Sequence, residues 1–249
     1  MIDSIISNGI KYRKEIFLAI FIIFAYFVSR LIVISDFPIF TDEAIYVRWT
    51  QIAANDAGWR FISLTDGKQP MFVWFGMIFV KLLEDPLTAV RLVSVLSGFF
   101  TLLGLFVLTR ELFKSKKAAF LSSVLYICYP FAVVYDRLAL YDSMVAALAV
   151  WAIYFSVLLV RKIRLDVAYT LGFALGGGLL TKSSAIFSIY LLPLTILLFD
   201  FKYKYRTRNL LKWIFLAGVA VVLSEVLYNF LRFSPFFHII TEKNAIFVY

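Results

Sequence analysis

Residues 71–83 read MFVWFGMIFVKLL, and whether this run crosses a bilayer decides the topology of everything that follows it. At a rise of 1.5 Å per residue, a helix of this length covers about 20 Å, against roughly 30 Å of hydrocarbon. Apolar runs of 10–14 residues are more often interfacial or re-entrant than spanning.

The basic residues separate the two options. If 71–83 does not cross, the loops at 11–14, 110–117, 161–164 and 202–212 share one side and hold 15 of the 25 Lys and Arg. Nine lie on the other side, and Arg30 falls within the first span. If the run does cross, every later loop changes side and most basic residues face outward. Cytoplasmic loops carry the excess of Lys and Arg, so the non-crossing arrangement is the expectation. The N-terminus is then inside.

The expected fold is an all-α, polytopic membrane helix bundle of about seven spans, at 16–34, 91–108, 118–134, 143–160, 167–180, 184–199 and 213–231. The runs are apolar throughout rather than alternating, which excludes spanning strands. One transmembrane domain, 1–249, carries a long first extracytoplasmic loop at 35–90. That loop holds juxtamembrane helices: one starting near Asp42 and one skimming the membrane at 71–83. Asp85-Pro86 reads as the N-cap and first position of the next helix.

Composition sets the class. The chain is 62% hydrophobic and 16% charged, where soluble domains have about 45–50% apolar and about 25% charged residues. This is a multi-pass integral protein of the cell membrane. Its net charge of +9 belongs to cytoplasmic loops, so no nucleic-acid partner is implied. A single cysteine, Cys128, excludes an intrachain disulfide, and a single histidine, His238, excludes multi-histidine metal sites. The apolar run after Lys11, Arg13 and Lys14 is longer than a leader peptide's core and lacks a small-residue cleavage pattern, so it reads as an uncleaved first span.

Four polar clusters fall on the outer side. In FPIFTDEAIYVRWTQ (37–51), Thr41 can cap a helix whose first turn holds Asp42 and Glu43. Adjacent helical residues point about 100° apart, so if one acid faces a reacting group, the other orients it or binds a neighbour. In YDRLALYDSM (135–144), Asp136, Arg137 and Asp142 sit in a hairpin with almost no length. Asp142 is placed near headgroup level, where an ionisable group is costly and marks function. In GGGLLTKSSA (176–185), Thr181 stands where a phosphate-binding P-loop needs glycine before Lys182. Gly172 and Gly176 form instead a small-xxx-small spacing for close helix packing. In TDGKQPMFVWF (65–75), Lys68 lies beside a helix N-terminus, where an anion is favoured. Acids and cations on one face suit transfer of a group from a lipid-linked phosphate.

The order of these motifs resembles the C-type (GT-C) membrane glycosyltransferases, in the branch of protein O-mannosyltransferases and lipid A aminoarabinose transferases. The likeness spans most of 37–192: the acidic pair, the Lys-x-Pro-aromatic segment, a helix opening with RLVS at Arg91, the R-x-x-L-x-D-S-M hairpin and the GLLTK helix. It implies a polyprenyl-phosphate-linked sugar as donor and an extracytoplasmic site. Asp42 matches the catalytic base, Glu43 its neighbour, and Arg137 and Asp142 the hairpin pair. Lys68 and Lys182 match basic positions near the donor phosphate, and Arg137 and Arg91 are expected to bind it with them. The first Pro of the family's Lys-Pro-Pro or His-Pro-Pro run is replaced here, since Gln69 stands between Lys68 and Pro70. Relatives continue with more spans, so the chain reads as a fragment, a minimal version or a subunit.

The expected chemistry is inverting transfer to an acceptor hydroxyl, with Asp42 as base and Asp142 orienting it. A protein, lipid or glycan acceptor all fit. Oxygen ligands would suit Mg or Mn, although no dedicated metal set is legible. The rival reading is a non-catalytic lipid-binding scaffold or a flippase for the same lipid.

Overall fold

The structure, a computed structural model, describes residues 13–199 and 206–246. Lys11, part of the 202–212 loop and the end at Tyr249 lie outside the described residues. Among the described residues there is no strand, and the regular elements are all helical. They are α1 (Arg13–Leu31), α2 (Thr41–Asn55), α3 (Met71–Val80), α4 (Pro86–Phe113), α5 (Lys116–Cys128), α6 (Pro130–Tyr135), α7 (Tyr141–Lys162), α8 (Leu165–Thr181), α9 (Ile186–Leu191), α10 (Arg206–Tyr228) and α11 (Phe237–Ile246), with short 3₁₀ turns between some of them.

Among the described residues, three helices are long and apolar enough to cross a membrane: α4, α7, and the run Thr207–Phe233 built on α10. α4 has 28 residues, about 42 Å. The ten residues of α3 amount to about 15 Å, half of a crossing. Large apolar side chains face outward over much of the molecule, among them Phe17, Leu121, Phe215 and Phe233. Water would not tolerate such a surface; hydrocarbon does, and the protein is an integral membrane protein.

α4 opens as the sequence indicates. Asp85 accepts from the Leu87 and Thr88 amides at 3.3 and 3.0 Å, with Pro86 in the first turn. α8 lies against α10 along its glycines. A Cβ on Gly172 would meet the Ala220 carbonyl at 2.9 Å, and one on Gly176 would meet Leu227 at 2.6 Å. The largest apolar core joins α7, α8 and α10 through Leu159, Leu171, Leu175 and Ala220. A second core, holding Tyr46, Phe72, Val90 and Tyr141, fastens α2 and α3 to α4 and α7.

Three expectations need correction. The apolar run at 118–134 is two helices, broken between Cys128 and Pro130, because Pro130 has no amide to continue the ladder. Arg30 occupies the break: its guanidinium donates to the Ile127 and Tyr126 carbonyls at 2.8 and 3.4 Å. The run at 184–199 is likewise two 3₁₀ stretches flanking the six-residue α9, with Pro193 in the second stretch. Thr41 is not the cap of α2; Phe40 holds the cap position, and its amide donates to Glu43 at 3.2 Å.

Candidate functional site

The two acids at the start of α2 part company. Glu43 is fully buried, while Asp42 is exposed. Arg91 of α4, also fully buried, grips Glu43 through Nε and Nη2, both at 2.7 Å. The same carboxylate accepts the Ala139 amide at 2.7 Å. Arg91 spends its remaining donors on the Ile34, Phe37 and Pro38 carbonyls. One buried ion pair therefore ties the turn after α1, the start of α2, α4 and the 138–140 hairpin. That hairpin leads directly into Asp142, so the pair sets where both Asp42 and Asp142 sit.

A second buried network supports the hairpin from behind. Asp136, 1% exposed, accepts from Ser143 at 2.9 Å, from Tyr126 at 3.1 Å and from Tyr26 at 3.3 Å, with Arg30 Nε at 3.4 Å. Gly98 of α4 makes room for it; a Cβ there would come within 2.3 Å of both Asp136 and the Tyr26 hydroxyl. Arg137 turns the other way. It donates to the Ile32 carbonyl at 2.7 Å and lies over the Phe37 ring at 4.9 Å.

Between these supports lies a polar cavity of about 180 Å³. Asp42, Asp142, Lys68 and Lys182 all line it, with Tyr46, Gln69, Tyr135, Tyr141 and Thr181. The structure thus brings together four of the seven charged residues singled out in the sequence. Glu43, Arg91 and Arg137 do not line it. Lys182, at the end of α8, meets Asp142, at the start of α7, at 2.9 Å, and each side chain is nearly half exposed. Gln69, 2% exposed, donates to Ser183 at 2.6 Å and so joins the start of α3 to the end of α8. Tyr46 and Tyr141 pack edge to face at 4.6 Å. The Tyr46 hydroxyl is pushed above its ordinary pKa, first by burial and then by the charges of Asp42, Asp142 and Asp66. It stays a neutral donor beside the acids.

Two further hollows share walls with this cavity. One, about 730 Å³, takes in Lys68, Gln69 and Lys182 together with Leu179, Phe187 and Tyr228. The other, about 390 Å³, shares Phe40, Tyr135 and Leu140 and is completed by apolar residues of α6 and Leu138. A charged pocket flanked by an apolar hollow and by one of mixed lining that also includes Glu225 can hold an amphiphile with a polar head. Among the described residues, no three Asp, Glu, His or Cys side chains gather as a metal cage.

Sequence reasoning missed Tyr46, Tyr141 and Gln69 as wall residues. Gln69 stood in view within Lys-Gln-Pro, and Tyr141 directly precedes Asp142; Tyr46 gave no signal beyond lying one turn after Asp42.

Comparison with protein families gives a match over residues 67–229 to dolichyl-phosphate-mannose-protein mannosyltransferase. Comparison with curated proteins gives no match.

Proposed function

The chain belongs to the dolichyl-phosphate-mannose-protein mannosyltransferase family, a family of membrane glycosyltransferases, and from that premise we propose that it moves a sugar from a polyprenyl-phosphate donor to an acceptor hydroxyl, with inversion, on the extracytoplasmic face. In this reading α1, α4, the broken α5–α6, α7, α8, the 183–198 helical run and α10 are the seven spans of one domain. Segment 35–90 is the outer loop, with α2 and α3 lying on the membrane.

The observation that carries the reading is the cavity uniting Asp42, Asp142, Lys68 and Lys182 beside one apolar hollow and one of mixed lining. Asp42 is the base. It takes the acceptor's hydroxyl proton as that oxygen bonds to the anomeric carbon, and the bond from that carbon to the phosphate oxygen breaks with its electron pair leaving on the phosphate. General-base assistance of this kind is worth about 10²–10⁴-fold. Lys182 and Lys68 receive the charge that develops on the phosphate. Asp142 holds Lys182 until the phosphate arrives and then orients the base or a sugar hydroxyl. Glu43, Arg91 and Arg137 act as supports that fix the α2 start and the hairpin.

The test is Asp42→Asn in purified protein given a labelled polyprenyl-phosphate sugar and membrane extract as acceptor source. Transfer should fall by at least about 100-fold. Undiminished transfer removes Asp42 from the role. Lipid binding with no sugar release from the unaltered protein favours the scaffold or flippase instead.

A further inference from the structure

At the far end of α7 from Asp142 lies a second charged hollow, of about 480 Å³. α7 has 22 residues, so its two ends stand about 33 Å apart, close to the thickness of a bilayer's hydrocarbon core. Arg161 and Lys162 close α7, and Asn209 and Lys212 of α10 face them across the hollow. Its floor is apolar, with Val160 and Phe199 both buried. Basic residues at a helix C-terminus complement the helix dipole, and that alone would account for Arg161 and Lys162. It does not account for Lys212, which comes from another helix and lines the same hollow. Among the described residues, Glu111 bridges Arg161 at 2.6 Å and Lys114 at 2.7 Å, and Lys162 and Lys212 add two further positive charges to the lining.

We propose that this hollow is a binding site for the phosphodiester headgroup of an anionic membrane phospholipid, remote from the Asp42 cavity. Lys162, Lys212 and Asn209 take the phosphate oxygens, Arg161 lends its charge from the Glu111 bridge, and the first methylenes of the acyl chains rest on Val160 and Phe199. A phospholipid is chosen over a free anion because polar donors and an apolar floor occur together, at the depth where headgroups lie. Basic pockets between spanning helices on the cytoplasmic side have this chemistry.

The experiment uses the whole chain in neutral detergent, with lipid retention read by native mass spectrometry. Phosphatidylglycerol should be retained in preference to phosphatidylcholine, and inorganic phosphate should not displace it at millimolar concentration. In the double variant Lys162→Ala/Lys212→Ala, affinity for phosphatidylglycerol should fall about 30-fold, at about fivefold per surface charge. Lys117→Ala, an exposed lysine near the same end of the bundle but outside the hollow, should leave it unchanged. Equal retention of the two lipids, full competition by inorganic phosphate, or an unaffected double variant each overturns the proposal. If the double variant does not fold, a photoactivatable phosphatidylglycerol on the unaltered protein decides: label on peptides carrying 160–163 or 209–212 supports the site, and label only elsewhere overturns it.

Discussion

Arg91 and Glu43 meet as a two-pronged fork, each prong 2.7 Å long, with both side chains shut off from solvent. Around them the Ala139 and Phe40 amides and the Ile34, Phe37 and Pro38 carbonyls complete the shell. Removing one member leaves the other charged and unpaired in the interior, which costs about 3–5 kcal/mol. Arg91→Ala should therefore lower the thermal midpoint strongly in detergent. Arg91→Lys should not restore it, since an ammonium cannot reproduce the planar fork. A variant melting within a degree or two of the parent would mean that the pair does not fix the site.

Lys182 and Asp142 form the opposite kind of pair. Each is nearly half exposed, and such pairs are worth about 0–1 kcal/mol. Lys182→Ala should thus leave the melting point within about 4 °C of the parent. Its effect should appear in donor use instead. Loss of a charge-assisted bond to phosphate, about 1.5–3 kcal/mol, corresponds to a drop of about 10- to 160-fold in kcat/KM for the polyprenyl-phosphate sugar. A large fall in stability with no change in donor kinetics would reassign Lys182 to structure.

These two pairs also show what a linear reading can and cannot reach. The apolar lengths of α4, α7 and α10, the shortness of 71–83, the Asp85-Pro86 cap and the Gly172/Gly176 face are local or periodic signals, and they were legible. So was the convergence of Asp42, Lys68, Asp142 and Lys182, through the order of motifs. Arg91 read as a phosphate ligand because nothing in RLVS reveals a carboxylate 48 positions upstream. Arg137 read the same way, yet its guanidinium lies on the carbonyl of Ile32, 105 positions away. Arg30 looked like a stray charge in a span. Its partners are Asp136 and the carbonyls next to the Pro130 break, a break that the hydropathy of 118–134 smooths over. Buried cations in a membrane bundle satisfy backbone acceptors wherever helices end early, and where that happens is a tertiary property.

Gly98 gives a sharper test of the buried network. A methyl there would press to within 2.3 Å of Asp136 and of Tyr26, and both sit in a web of hydrogen bonds with little freedom to move. Overpacking of this sort costs about 1–3 kcal/mol. Gly98→Ala should destabilise, whereas Gly218→Ala, with open space around its Cβ direction, should stabilise slightly by its helix propensity, about 1 kcal/mol at most. Since Asp136 holds Ser143, next to Asp142, Gly98→Ala should also lower turnover more than donor affinity. Equal melting points for the two alanine variants would show that the 135–143 hairpin adjusts freely.

Asp85 offers a prediction in pH. Its carboxyl is held below the ordinary range, first by the Thr88 hydroxyl and next by the Thr88 amide, with the Leu87 amide adding to them. A carboxyl with a folded pKa below its unfolded one stabilises the fold fully above the unfolded value, about 3.9, and loses that contribution as pH falls through the lower folded value. Asp85→Ala removes the N-cap of α4 and should cost about 1 kcal/mol near neutrality. The gap between parent and variant should narrow as the pH is taken below about 4. Asp85→Asn keeps a capping oxygen of similar rank and should show a smaller deficit at neutrality, narrowing in acid only by what the carboxylate's charge adds. Thermal unfolding of the three proteins in detergent, at neutral pH and in acid, measures both. A gap for Asp85→Ala that stays constant across the carboxylate range would mean that the charge of Asp85 contributes nothing to holding the start of α4.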